Sequence, residues 1–188
     1  MDIAVKIVNV VATAVLDRPI DLECLPHLFP CTLLCDPRTT PPPVPVYFKS
    51  KHACIKCGQG KVSIFASGKI ISIGTKNEKT AKQELISVAN RLMKAGVAAL
   101  KNEPKVVNMV ATVDLGFKPD IESISNSTET RVIYEPEQFP GAIIHLSIPG
   151  HATGATVLLF ASGKAVCVGL KKSESIYTVI QQLLRIIV

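Results

Sequence analysis

No stretch of apolar residues in this chain is long enough to cross a bilayer, which takes about 20. No membrane span is therefore expected. The first residues, MDIAVKIVNV, carry no basic patch followed by an apolar run and a small-residue cleavage site, so export is not expected either. Charged residues are scarce, at 19% against 47% apolar, and that balance excludes a disordered chain. There is no glycine-rich phosphate loop, no HExxH pair and no Ser-His-Asp set in a suitable context. The 4 histidines are scattered, so no enzyme is expected.

The 188 residues leave room for one ordinary domain or two small fused ones, and the formal charge of +6 suits an anionic partner, nucleic acid among them. Without an export signal the 6 cysteines read as reduced thiols. His52, Cys54 and Cys57, with Cys31 and Cys35 upstream, have the ligand types of a zinc site. No second C-x-x-C completes a strong pattern, so free thiols, and no metal or other cofactor, are expected.

The decisive feature is that the chain is written twice. Residues 5–13 read VKIVNVVAT and residues 104–112 read PKVVNMVAT; residues 64–69 read IFASGK and residues 159–164 read LFASGK. The matched asparagines stand 99 residues apart and the matched lysines 95, so the first copy holds about four extra residues between the blocks. The expected repeats are 1–96, with a divergent stretch at 24–60, and 104–188, joined by a linker at 97–103.

Each copy has one pattern. Val5–Ala14 and Lys105–Val113 are apolar and β-branched and read as strands. Pro19–Leu25 and Pro119–Ser125 open on a proline that suits a first helical turn. Three strand-like runs follow, near 44–49, 61–67 and 70–75, and again near 142–148, 155–161 and 164–169. A two-residue hairpin turn is expected within Ser67-Gly68-Lys69 and Ser162-Gly163-Lys164. Each copy closes on an amphipathic helix, Glu78–Ala95 with Lys94 and Gly96 as stop signals, and Ser173–Val188. One continuous antiparallel sheet with helices on one face is expected. A sheet covered on one face should alternate apolar with polar, yet Ile64, Phe65, Ile70, Ile71 and Ile73 do not. Leu158, Leu159, Phe160, Val166, Cys167 and Val168 repeat the departure. The second face is then apolar too: a doubly buried sheet, a dimer interface, or a face for the DNA minor groove rimmed by lysine.

The pair NVVAT/NMVAT, the block YEPEQFPGAI at 134–143 and the twin FASGK hairpins resemble the TATA-box-binding protein family over nearly the whole chain. The resemblance implies an α+β fold: a pseudo-twofold saddle of two βαβββ-helix repeats forming one curved antiparallel sheet, with helices on its convex face. It implies a general transcription initiation factor that binds and bends A·T-rich promoter DNA through the minor groove. Asn9 and Asn108 match the family's central asparagines, whose amides donate to adenine N3 and thymine O2. Val11, Val110, Ile71, Leu158 and Val166 match its apolar floor, and Ile73 and Val168 stand where the family has threonines. Phe65, Phe139 and Phe160 match wedge positions. The fourth wedge position aligns with Thr40, with Pro41 or Pro42 as substitutes. Lys69, Lys76, Lys164 and Lys171 match phosphate contacts, as Lys49 and Lys51 do more weakly, while His145 replaces an arginine.

Glu135, Glu137 and Gln138 match the loop that contacts transcription factor IIB in the family. For factor IIA the aligned helix positions carry Ile86, Ser87 and Asn90, with Lys82 and Arg91 nearby, which puts that partner in doubt. The implied location is the nucleus, or the cytoplasm of an archaeon. The other reading is a related protein-interaction module with relaxed or lost TATA specificity.

Overall fold

A computed structural model of the chain describes residues 3–29, 32–35, 52–125, 132–148 and 154–187, with only the backbone path given for 32–35. The expected strand near 44–49, Thr40 to Pro42, Lys49, Lys51 and Cys31 lie outside the described residues. The chain divides into two compact units, residues 10–106 and residues 1–9 with 107–188.

In the first of these, strand β1 (Ala4–Val15, from Val10 on) pairs with β5 (Lys69–Thr75). Outward from β5 follow β4 (Gly60–Phe65), β3 (His52–Cys57) and β2 (Thr32–Cys35), all antiparallel. A short 3-10 turn, Leu22–Cys24, and helix α1 (Leu25–Leu28) come between β1 and β2. Helix α2 (Glu78–Lys94) packs on β5 and β4, with Ala81, Leu85, Val88 and Leu92 buried on the helix and Ile64 and Ile70 buried on the strands. Asn77 caps it, Oδ1 accepting from the N–H groups of Lys79 and Thr80 at 2.7 and 3.3 Å, and Gly96 at φ +72° ends it.

The other unit repeats the plan. Strand β6 (Lys105–Asp114) pairs with β10 (Lys164–Leu170), followed outward by β9 (Ala155–Phe160), β8 (Gly141–Leu146) and the short β7 (Val132–Ile133). Helix α3 (Ile121–Ser125) is short; helix α4 (Glu174–Ile187) buries Ile176, Val179, Ile180 and Leu183. No helix among the described residues is long and apolar enough to cross a membrane.

The hairpin turns differ from the two-residue form expected. Ala66–Gly68 and Ala161–Gly163 are three-residue loops, closed by Gly68 N–H on Phe65 O and Gly163 N–H on Phe160 O, both 2.9 Å. The glycine of each sits at φ +84°, the left-handed position of a type I turn followed by a bulge. A side chain there has no room, since a Cβ would stand 2.6 Å from Arg18 O or 1.9 Å from Phe117 O. Strands β2, β3 and β7 are additions to the expected set. β3 was hidden by its cysteines and lysine, and β7 is only two residues long.

Candidate nucleic-acid interface

Strand parity sorts the strands of each unit into a helix-covered face and an open one. On β1 the buried residues are Val10, Ala12 and Ala14, which leaves Val11, Thr13 and Val15 on the open face. Cross-strand register extends that face: Thr13 stands beside Ile71, Ile71 beside Ser63, Ile73 beside Lys61, and Phe65 beside His52. Ile73 is 44% exposed and Val15 39%, and Phe65 and Ile71 are half-buried, so large apolar side chains face outward with no helix over them. In the other unit Val110, Thr112, Val166, Val168, Leu158 and Phe160 form the matching face, all half-buried, with Val166 next to both Thr112 and Leu158. Their chain neighbours Met109, Ala111, Cys167 and Leu159 are fully buried on the helix side. The apolar runs are thus two interleaved sets, one forming the core and one displayed.

Asn108 shows how the display is tuned. At β10 the register with β6 slips between Cys167 and Leu170, and Gly169 in the slip has φ +87°. That bulge turns the Gly169 N–H onto Asn108 Oδ1 at 3.0 Å. With its oxygen so engaged, the amide is fixed in one orientation and its NH₂ is the group left to recognise a ligand. A fixed donor matches the floor of an A·T minor groove, which shows acceptors only. Asn9 is half-buried at the corresponding place on β1.

Two of the rings expected as wedges meet in the unit containing β9. Phe139 and Phe160 lie edge to face, centroids 5.7 Å apart at 61°. Gly141, paired with Phe160, makes this possible: a Cβ there would stand 3.0 Å from Phe139 Cε1 and 3.1 Å from Phe160 Cδ1. Phe160 also lines a concavity with Val5, Lys6, Thr112, Lys164 and Val166. In the other unit the ring beside Phe65 is the imidazole of His52, stacked at 5.2 Å and 25°.

Lys69, Lys76, Lys164 and Lys171 are all exposed, Lys69 and Lys164 opening β5 and β10, and Lys76 and Lys171 one residue past their ends. His145 is exposed on β8 with Nδ1 3.2 Å from Thr156 Oγ1. Lys56 and Lys61 have no counterpart among the residues the sequence pointed to. They are exposed and directly opposite each other on the open face of β3 and β4, where like charges repel unless an anion lies across them. The parity of Lys61 with Phe65 is the signal that would have found both.

Glu135, Glu137 and Gln138 are exposed in a tight turn in which Glu135 O accepts from the N–H groups of Gln138 and Phe139, both at 2.9 Å. That turn ties the acidic loop to Phe139. On α2, Ile86, Ser87, Asn90 and Arg91 line one shallow groove with Gln83 and Lys94, and the Arg91 guanidinium lies over the Phe29 ring at 4.9 Å.

Of the residues weighed for zinc, His52, Cys54 and Cys57 do not share a face. His52 and Cys54 are on the open side of β3 and Cys57 is on the other, by the alternation of the strand. Burial, with the Glu84 carboxylate nearby, pushes the Cys57 thiol up to about 11. Cys54 Sγ is 3.6 Å from Ser63 Oγ.

The family model described as "Transcription factor TFIID (or TATA-binding protein, TBP)" matches residues 4–95 and 103–188. A TATA-box-binding protein of Methanothermococcus thermolithotrophicus is 35% identical over 98% of this chain and 94% of its own length. One from Methanocaldococcus jannaschii is 34% identical over 98% and 93%; one from Pyrobaculum calidifontis is 31% identical over 95% and 83%. Among solved structures, the Methanococcus jannaschii TBP matches with a TM-score of 0.76 and 32% identity, covering 97% of each chain.

Proposed function

The chain belongs to the TATA-box-binding protein family, a family of DNA-binding transcription initiation factors and not of enzymes, and on that premise we propose that it bends A·T-rich promoter DNA and recruits transcription factor IIB. The observation that carries this reading is the open face of each repeat, apolar and flanked by exposed lysines, with the Asn108 amide held as a donor. In this reading the repeats are 1–96 and 104–188, and Asn9, Asn108, Val11, Val110, Ile71, Leu158 and Val166 meet the groove floor. Phe65, Phe139 and Phe160 unstack base steps, and the four lysines neutralise phosphates.

Ile73 and Val168 favour a looser sequence preference than a TATA box. Each presents hydrocarbon where the family's threonine presents a hydroxyl, and a lost base contact is worth about 1–3 kcal/mol of discrimination. The test is binding and bending of A·T-rich and G·C-rich duplexes across a salt series. Tighter, salt-dependent binding and bending of the A·T-rich duplex are expected. Equal affinities with no bend would leave the protein-interaction module as the better reading.

Glu135, Glu137 and Gln138 are the proposed factor IIB contact. Glu135→Arg should abolish the ternary complex in a gel shift while DNA affinity is unchanged. Loss of both would mean a folding defect in the loop that also holds Phe139. Factor IIA has weaker support, because the aligned positions on α2 carry Ile86, Ser87 and Asn90, although Arg91 and Lys94 line the same groove. The named relatives are archaeal, so the expected nucleus has no support and the proposed location is the cytoplasm of an archaeal cell.

A further inference from the structure

Phe65 and Phe160 occupy the same place in the two repeats, each the last residue of its strand before the Ala-Ser-Gly loop. Their cross-strand partners are not the same: His52 faces Phe65, and Gly141 faces Phe160. At Gly141 the missing side chain leaves the space that the Phe139 ring fills from the preceding loop. At His52 the strand residue supplies a ring itself, and that ring stacks on Phe65 with centroids 5.2 Å apart. The separation lies within the range of attractive aromatic pairs.

From this we infer that His52 is the second wedge ring of the first repeat, a DNA-contacting residue that takes the part Phe139 plays in the second. The inference rests on the minor-groove reading above. His52 lies on the open face with Phe65, half-buried, two residues along the strand from Cys54 on the same side. A flat imidazole stacked on a phenyl ring makes a slab that can enter between base pairs, as two phenyl rings do, while its ring nitrogens keep a polar edge that Phe139 lacks. In this reading the first repeat, like the second, brings a pair of rings to its end of the groove.

The test is a bend and affinity measurement on one A·T-rich duplex with His52→Ala, His52→Leu and His52→Phe, alongside Phe65→Ala. His52→Ala and His52→Leu should reduce the bend as much as Phe65→Ala does and weaken binding about tenfold, the scale of one lost aromatic contact. His52→Phe should restore both, since it keeps the stack and removes only the polar edge. His52→Leu fills the site without a ring, so its effect at an unchanged melting temperature separates stacking from packing. Wild-type bending and affinity in His52→Ala and His52→Leu, with Phe65→Ala impaired, would overturn the inference and leave the minor-groove reading intact. Wild-type protein that fails to bend the duplex would overturn the minor-groove reading itself.

Discussion

Phe160→Ala should remove about half of the DNA bend and weaken binding by at least about thirtyfold, the loss of an interface hot spot, while the protein melts at nearly its normal temperature. The asymmetry between function and stability follows from parity on β9. Phe160 is half-buried on the open face, where its ring touches Phe139, and Leu159 beside it is fully buried against the helix side. Cutting Phe160 back removes no core contact and opens no enclosed cavity. Leu159→Ala, one residue away, does both and should cost about 2–5 kcal/mol of stability. Phe139→Ala should match Phe160→Ala in bending, because either change leaves a single ring above Gly141. Alteration of Thr40 should do less than either. Gel mobility of circularly permuted duplexes reads the bend, and a thermal melt reads the stability. A Phe160→Ala protein that bends DNA normally would remove this ring from the wedge.

The repeat carried most of what was legible in the sequence. Two collinear blocks set the strands β1, β5, β6 and β10 and the two long helices, since periodicity and the Lys94-Gly96 ending are local signals. The doubled apolar runs also mark an open apolar face by composition alone, because a sheet covered on one side has no reason to be apolar on both. What stayed hidden depended on pairing. That His52 is a ring beside Phe65 follows from the β3–β4 register, and β3 itself reads HACIKC, with a lysine and two cysteines in place of a clear β-branched run. The Ala-Ser-Gly loops are recognisable as turns but read one residue too short, since only the backbone shows that the glycine, and not the serine, is left-handed. The orientation of the Asn108 amide depends on a bulge 61 residues away and has no sequence signature at all.

The second large effect is expected on the opposite side of the sheet. Glu84 on α2 is only 8% exposed, its Oε1 accepting from Gly60 N–H and its Oε2 from the Ser72 hydroxyl, both at 3.0 Å. No buried side-chain polar atom among the described residues lacks a partner, so the arrangement is closed. Gly60 is held to glycine by the same packing, because a Cβ would stand 2.7 Å from Glu84 Oε2 and 2.8 Å from Ile73 O. The second repeat solves the problem without polarity: Cys167 stands in place of Ser72 and Val179 in place of Glu84, both fully buried. Glu84→Ala would strand two buried donors at about 1–3 kcal/mol each and should lower the melting temperature by roughly 5–15 °C. DNA affinity measured below the melt should not change, because Glu84 lies beneath the helix-covered face. Substituting Glu84→Val and Ser72→Cys together, as in the second repeat, should cost about 1–2 kcal/mol less than the two single changes summed, since the hydroxyl no longer needs a partner. Strict additivity in those melts would show that the Ser72–Glu84 hydrogen bond contributes nothing to the fold.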